Sequence, residues 1–201
     1  MHWHQSRGVC ARGLTGWVMH PSASPMRTCC ASRCCLWRAA VKADPYLYLD
    51  LDQTFADFDG GFKTFFGVYP WEVTRERKWE LVRSHGSFFS SLPMLPGARE
   101  FFDKVRVLNP AVLTGCPGSY YKESAGQKRL WSRTNLHDDI PFLPVNGSIN
   151  KHLFMHKPGD IILDDRSDVC RAWTEAGGIA IHFQGDYADA YAKLRTIYGT
   201  F

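Results

Sequence analysis

The chain has 201 residues, 45% apolar and 22% charged, a composition ordinary for a globular domain with a real core, and no apolar run approaches the length of a membrane span. Its formal charge of +4 divides unevenly: residues 1–43 hold six basic residues (Arg7, Arg12, Arg27, Arg33, Arg38, Lys42) and no acidic ones, while the remaining 158 carry 18 Lys and Arg against 20 Asp and Glu. The larger part is therefore slightly acidic, which argues against a basic footprint for nucleic acid.

Residues 1–43 also hold five of the seven cysteines, Cys10, Cys29, Cys30, Cys34 and Cys35, with poor apolar periodicity. Vicinal pairs are not the C-x-x-C spacing of a metal site, and only Cys116 and Cys170 lie beyond them for a disulfide framework. The stretch is expected to be a disordered extension, a transit-like segment (it contains Arg and Ser and lacks acids), or the product of a misassigned start, with translation beginning at Val41.

From residue 44 the pattern changes. Tyr46 to Asp50 is an apolar run of the length of a buried strand; it ends on Asp50, and Asp52 follows two residues later. Phe58, Phe62, Phe65 and Phe66 then recur at helical spacing, and Trp71 to His85 reads as a charged amphipathic helix with Trp79 and Leu81 on its apolar side. Gly86 to Pro96 is a loop. Helices are expected over Ala98–Val105, Tyr120–Thr134, Ser167–Ala176 and Tyr187–Tyr198. Strands are expected over Ala111–Leu113, Phe142–Val145, Ile161–Leu163 and Ile179–Phe183. Lys157-Pro158-Gly159 is a turn. Strands alternating with helices give an α/β fold, a Rossmann-like parallel sheet with helices on both faces. Residues 55–95 are helical and aromatic with no strand among them, and read as a small cap inserted after strand one. The domains are thus the 1–43 extension and a domain over 44–201.

Three strands end in polar residues: Asp50 with Asp52, Thr114 with Gly115, and Asp164 with Asp165. Strand carboxyl ends share one edge of a parallel sheet, where such sheets bind ligands. Carboxylates so gathered repel one another unless a cation or proton intervenes. Oxygen ligands beside a phosphate favour Mg²⁺, and Lys128, Lys151 and Lys157 could neutralise a phosphate. One Asp at a strand end is more often a helix cap or a solvated loop residue, the assignment that suits Asp57 and Asp168. Three strands ending alike point to a site.

Asp50-Leu-Asp52-Gln-Thr54 resembles the first motif of haloacid-dehalogenase-like (HAD) phosphatases, Thr114 the second, and Asp164-Asp165 the fourth. Asp50 to Phe62, Leu95-Pro96-Gly97-Ala98 and Leu163 to Asp168 resemble in detail the 5′(3′)-deoxyribonucleotidase, or type C 5′-nucleotidase, branch. The resemblance spans about residues 45–183 and is weakest in the cap. It implies Asp50 as nucleophile and Asp52 as general acid and base, with Asp50, Asp164, Asp165 and the backbone carbonyl of Asp52 holding Mg²⁺. Thr114, with backbone N–H groups including that of Gly115, would hold the phosphate. Lys151 or Lys157 would be the third-motif lysine, Lys151 preferred, and Lys128 a second phosphate-side lysine. Phe58 would stack on a nucleobase, with Trp79, Phe88 and Phe89 completing the wall. Gln53 and Gly115 depart from the family pattern, which often has a small residue after the second aspartate and a serine beside the threonine.

The expected activity is Mg²⁺-dependent hydrolysis of (deoxy)nucleoside monophosphates through an aspartyl-phosphate. The rivals are a sugar phosphate or other small phosphoester as substrate, and a non-catalytic binding module on the same fold. The expected partner is a small-molecule phosphomonoester, with no nucleic-acid polymer and no membrane; a homodimer is left open. A cytoplasmic location is expected, or a mitochondrial one should residues 1–43 be a transit segment.

Overall fold

The computed structural model describes residues 44–201. The cysteine pairs and the three readings of residues 1–43 lie outside the described residues. Five strands, β1 (Leu47–Leu49), β2 (Ala111–Cys116), β3 (Phe142–Asn146), β4 (Ile161–Asp164) and β5 (Ile179–His182), form one parallel sheet in the order β3-β2-β1-β4-β5. Among the described residues six α-helices accompany them: α1 (Phe58–Phe66), α2 (Arg75–His85), α3 (Ala98–Val105), α4 (Tyr121–Asn135), α5 (Ser167–Glu175) and α6 (Tyr187–Tyr198). No helix among the described residues is long and apolar enough to cross a membrane.

The central strand is only three residues long and wholly buried, with Tyr48 in register between Ala111 and Ile162. Its side chains alternate between two cores, as a strand's period of two requires. Leu47 and Leu49 pack with Val112, Ile161 and Leu163 against Phe102 of α3 and Leu194 of α6. Tyr48 faces the other way with Leu113 and Ile162, against Val169 and Trp173 of α5. A sheet covered on both faces explains why the strands read as continuous apolar runs.

The chain between β1 and α3 leaves the sheet through a narrow stem. Ala56 bridges to Met94, the Asp57 N–H donates to the Pro93 carbonyl (2.8 Å), and the Leu95 N–H donates to that of Phe55 (2.8 Å). Beyond the stem, α1, α2 and a short 3-10 turn (Phe89–Ser91) form the cap around Phe58, Phe62, Val82, Phe88 and Phe89. Asp57 caps α1, its carboxylate accepting from the Gly60 N–H at 2.8 Å. The second cap helix begins at Arg75 rather than Trp71: residues 70–73 turn, and the Thr74 hydroxyl accepts from the Arg77 N–H (3.2 Å), which starts the helix there.

Trp131 of α4 ties the cap stem to the sheet domain. Its buried indole N–H donates to the Leu92 carbonyl at 2.7 Å. A Trp131→Phe change keeps an aromatic ring but orphans that carbonyl, so chemical denaturation should show a loss of about 1–3 kcal/mol. A loss below this range would mean that the carbonyl finds another donor.

Candidate active site

Because β1 hands the chain to β2 on one side and β4 hands it to β5 on the other, the crevice between the carboxyl ends of β1 and β4 is the switch point of the sheet. Asp50 stands there. Its N–H donates to the Leu163 carbonyl (2.9 Å), which sets it beside Asp164 at the end of β4. Asp50, Asp164 and Asp165 each present an oxygen within 4.8 Å of the others.

Lys151 lies among these acids, its Nζ 2.5 Å from Asp50 Oδ1 and 2.6 Å from Asp164 Oδ2. Burial works against its charge, yet the two carboxylates outweigh burial and hold the ammonium above its ordinary range. The acids are not balanced in return. Burial, together with the charge of Asp50 and against the pull of Lys151, pushes Asp164 up to about 6. Burial, reinforced by Asp50 and Asp164, pushes Asp165 up to about 8. One ammonium cannot offset three carboxylates. A divalent cation would bring the formal balance to zero, and the donors are all hard oxygens of the kind Mg²⁺ or Ca²⁺ accepts. The residues present therefore fit a metal ion.

Asp52 is oriented differently. Among the described residues its carboxylate is not one of the three that converge: Oδ2 lies 2.5 Å from Lys128 Nζ. Asp52 Oδ1 is buried and has no hydrogen-bond partner. Burial raises the pKa of this acid, Lys128 opposes and Asp50 adds to the rise. A carboxyl held protonated beyond its usual range suits proton donation.

Lys128 is itself buried in α4, on one face with Ser124, Trp131 and Ser132. It also donates to Thr114 Oγ1 (3.2 Å) and the Gly115 carbonyl (2.7 Å), and sits 4.6 Å from the centre of the Phe89 ring. Because Thr114 Oγ1 accepts from Lys128, its own proton is available to a ligand. A side chain at position 115 would collide with Ser148, so glycine lets the segment Ser148–Phe154, which carries Lys151, close on β2.

A cleft of about 710 Å³ opens between this strand-end edge and the cap, a size suited to a small-molecule ligand. Asp50, Asp52, Gly115, Lys128 and Asp165 line its floor, and Phe58 and Trp79 face it from the cap. Thr114, Lys151 and Asp164 lie buried behind that floor. Lys157 is elsewhere: its Nζ donates to the Asp44 carbonyl (3.0 Å), at the amino end of the sheet. Of the two lysines, only Lys151 reaches Asp50. Phe58 packs against Phe88 (ring centres 5.2 Å apart) while keeping an edge on the cleft. Phe88 and Phe89 do not extend that wall, since both are buried in the cap's aromatic cluster. Trp71, two-thirds exposed, takes the rim instead.

Several lining residues carry no signal in the sequence. Asn146 ends β3, Ser148 and Ser119 lie in 3-10 segments after β3 and β2, and all three reach the cleft only through the fold. Arg75 and Lys78 look like any charged pair on a solvated helix. Gln53 has a φ of 54°, in the left-handed region that few side chains adopt. Its amide donates to Asp59 Oδ2 (2.8 Å) and accepts from the Asp59 N–H (3.3 Å), which offsets the strain.

Fold and site together define an α/β domain with a capped, acidic switch-point cleft. No protein-family model matches the sequence, and no curated protein does. The fold has solved counterparts. A haloacid dehalogenase-like family hydrolase from Streptococcus pneumoniae is similar at 12% identity and a TM-score of 0.50, covering 74% of this chain and 90% of that one. An L-2-haloacid dehalogenase from Xanthobacter autotrophicus, with chloropropionic acid covalently bound, is similar at 11% identity and 0.49, covering 79% and 84%. The architecture is the haloacid dehalogenase-like fold.

Proposed function

We propose that this protein is a Mg²⁺-dependent phosphomonoesterase whose favoured substrate is a (deoxy)nucleoside monophosphate. The observation that carries this is the pairing of Asp50, set against Lys151 and two further acids, with Asp52, whose Oδ1 is buried and unpartnered in the same cleft. A carboxylate of Asp50 attacks phosphorus, and the ester oxygen leaves with the proton of Asp52, giving an aspartyl-phosphate and an alcohol. Water then attacks that phosphorus while Asp52 takes its proton; the acyl-phosphate bond breaks, and inorganic phosphate and the free Asp50 carboxylate result. The Thr114 hydroxyl and the Gly115 N–H hold the phosphate oxygens, and Lys151 offsets their charge. Held by Asp50, Asp164, Asp165 and the Asp52 carbonyl, Mg²⁺ would neutralise charge as nucleophile and phosphate approach. A halide leaves without a proton, so a raised Asp52 favours an alkoxide leaving group over a carbon–halogen substrate.

Phe58, Trp79 and the exposed Trp71 support a flat apolar partner, since base–aromatic stacking contributes about 1–3 kcal/mol per base. The test is hydrolysis of p-nitrophenyl phosphate, nucleoside monophosphates and sugar phosphates by the purified protein with Mg²⁺. Nucleotides should be turned over best. Equal rates on sugar phosphates would remove the nucleotide assignment, and no turnover of any ester would remove the phosphatase.

Metal and pH give an independent check. In the metal-free protein Asp164 and Asp165 keep protons that an unfolded carboxylate loses near 3.8, so stability is lost as pH rises from there to about 6 and about 8 respectively. A bound cation displaces these protons, so its affinity grows over the same window. Adding Mg²⁺ should therefore raise the melting temperature by several degrees at about pH 9 and by little at about pH 5. Equal shifts at both would place the ion away from these acids.

A further inference from the structure

The cap contributes two cations to the cleft that the chemistry above does not use. Arg75 and Lys78, one turn apart on α2, line the same cleft as Asp50 and Asp52. The other basic groups near them are engaged: Arg77 with Glu80, Arg166 with Asp168, Lys128 with Asp52, and Lys151 with Asp50 and Asp164. Arg75 and Lys78 form no ion pair and no side-chain hydrogen bond among the described residues. Lys78 is half-buried, its Nζ 5.2 Å from the centre of the Trp79 ring. Burial lowers its pKa and Arg75 lowers it further, while Asp59, on the cleft wall but held by Gln53, opposes. Two like charges this close repel, and desolvating one of them costs more, unless an anion lies between them. They also stand on the cap, across the cleft from the strand ends where the phosphoryl group reacts.

We infer that Arg75 and Lys78 form a subsite for a second anionic group of the substrate, so that the preferred nucleotide bears a further phosphate remote from the bond that breaks. This inference rests on the phosphomonoesterase reading of Asp50. Guanidinium and ammonium groups on the cleft wall suit it: they attract an anion from solution and orient its far end, while the buried groups act on the reacting phosphate.

The test compares kcat/KM for p-nitrophenyl phosphate, a nucleoside 5′-monophosphate, a nucleoside 3′,5′-bisphosphate and a phosphorylated hydroxy acid, in wild type and in Arg75→Gln/Lys78→Gln. The wild type should favour the bisphosphate, and a preference for the phosphorylated hydroxy acid would overturn the nucleotide reading. In the double variant the ratio of the bisphosphate kcat/KM to the value for p-nitrophenyl phosphate should fall at least about tenfold, the size of one charge-assisted hydrogen bond lost, mainly through KM. Lys78→Arg should keep the preference, and rising salt should weaken it. If the wild type hydrolyses p-nitrophenyl phosphate but the ratio is the same in both proteins, the subsite is wrong. If the wild type hydrolyses none of the four, the phosphatase reading has failed instead.

Discussion

Asp50→Asn should abolish turnover, lowering kcat by at least about 10⁴-fold, because a neutral amide cannot attack phosphorus, and two of the neighbouring acids are already engaged. Asp164 is tied to Lys151 and to the Arg166 N–H (3.0 Å), and Asp52 is tied to Lys128. The substitution is close to isosteric, and Lys151 keeps Asp164 as a partner, so the fold should survive. Ligand binding should separate this outcome from simple damage. Removing a negative charge that faces the phosphate relieves a repulsion, so inorganic phosphate should bind the variant at least as tightly as the wild type. Acid-quench trapping should find phosphate on the wild-type chain at Asp50 and none on the variant. Substantial residual hydrolysis by Asp50→Asn would reassign the nucleophile.

The parts of this site legible in the sequence were those that follow from the sheet. An apolar run of strand length ending in a carboxylate can be recognised, and parallel strands put such ends on one edge; Asp50, Thr114 and Asp164 were found this way. Lys128 and Lys151 came from the family resemblance and not from the apolar pattern, because their burial does not follow an apolar stripe. The buried face of α4 carries Ser124, Lys128, Trp131 and Ser132, so apolar periodicity gives no reason to place Lys128 inside. Lys151 lies within a 3-10 segment, Ser148–Phe154, which has no 3.6-residue pattern to detect. The orientation of Asp52 could not be read either, since its spacing from Asp50 is the same whether it turns to a metal or to Lys128. Rings in the cap posed the opposite difficulty. Four phenylalanines at helical spacing, with Phe88 and Phe89 in the loop beyond, show that a cluster exists but not which ring keeps an edge on the cleft, and it is Phe58, rather than Phe88 or Phe89, that does.

Lys151→Met should be the most destabilising single change in the site, and its dependence on metal should reveal why. The ammonium is fully buried and bridges Asp50 and Asp164 at 2.5 and 2.6 Å. Methionine approximates its shape but leaves two buried carboxylates unpaired beside Asp165, a loss of about 3–5 kcal/mol in the metal-free protein by the usual cost of breaking a buried ion pair. The penalty should ease at low pH, where the acids take up protons, and with Mg²⁺, where a cation returns to the cluster. Catalysis should not recover in parallel, because the metal cannot also supply the charge that Lys151 directs at the phosphate; kcat should remain lower by about 10²–10³-fold. Urea denaturation with and without Mg²⁺ measures the first effect and steady-state kinetics the second. Adding Asp164→Asn to Lys151→Met removes one unpaired charge and should restore part of the metal-free stability while abolishing its gain from Mg²⁺. If Lys151→Met proves as stable as wild type without metal, the lysine is not what holds these carboxylates together, and the charge balance assigned to the cluster is wrong.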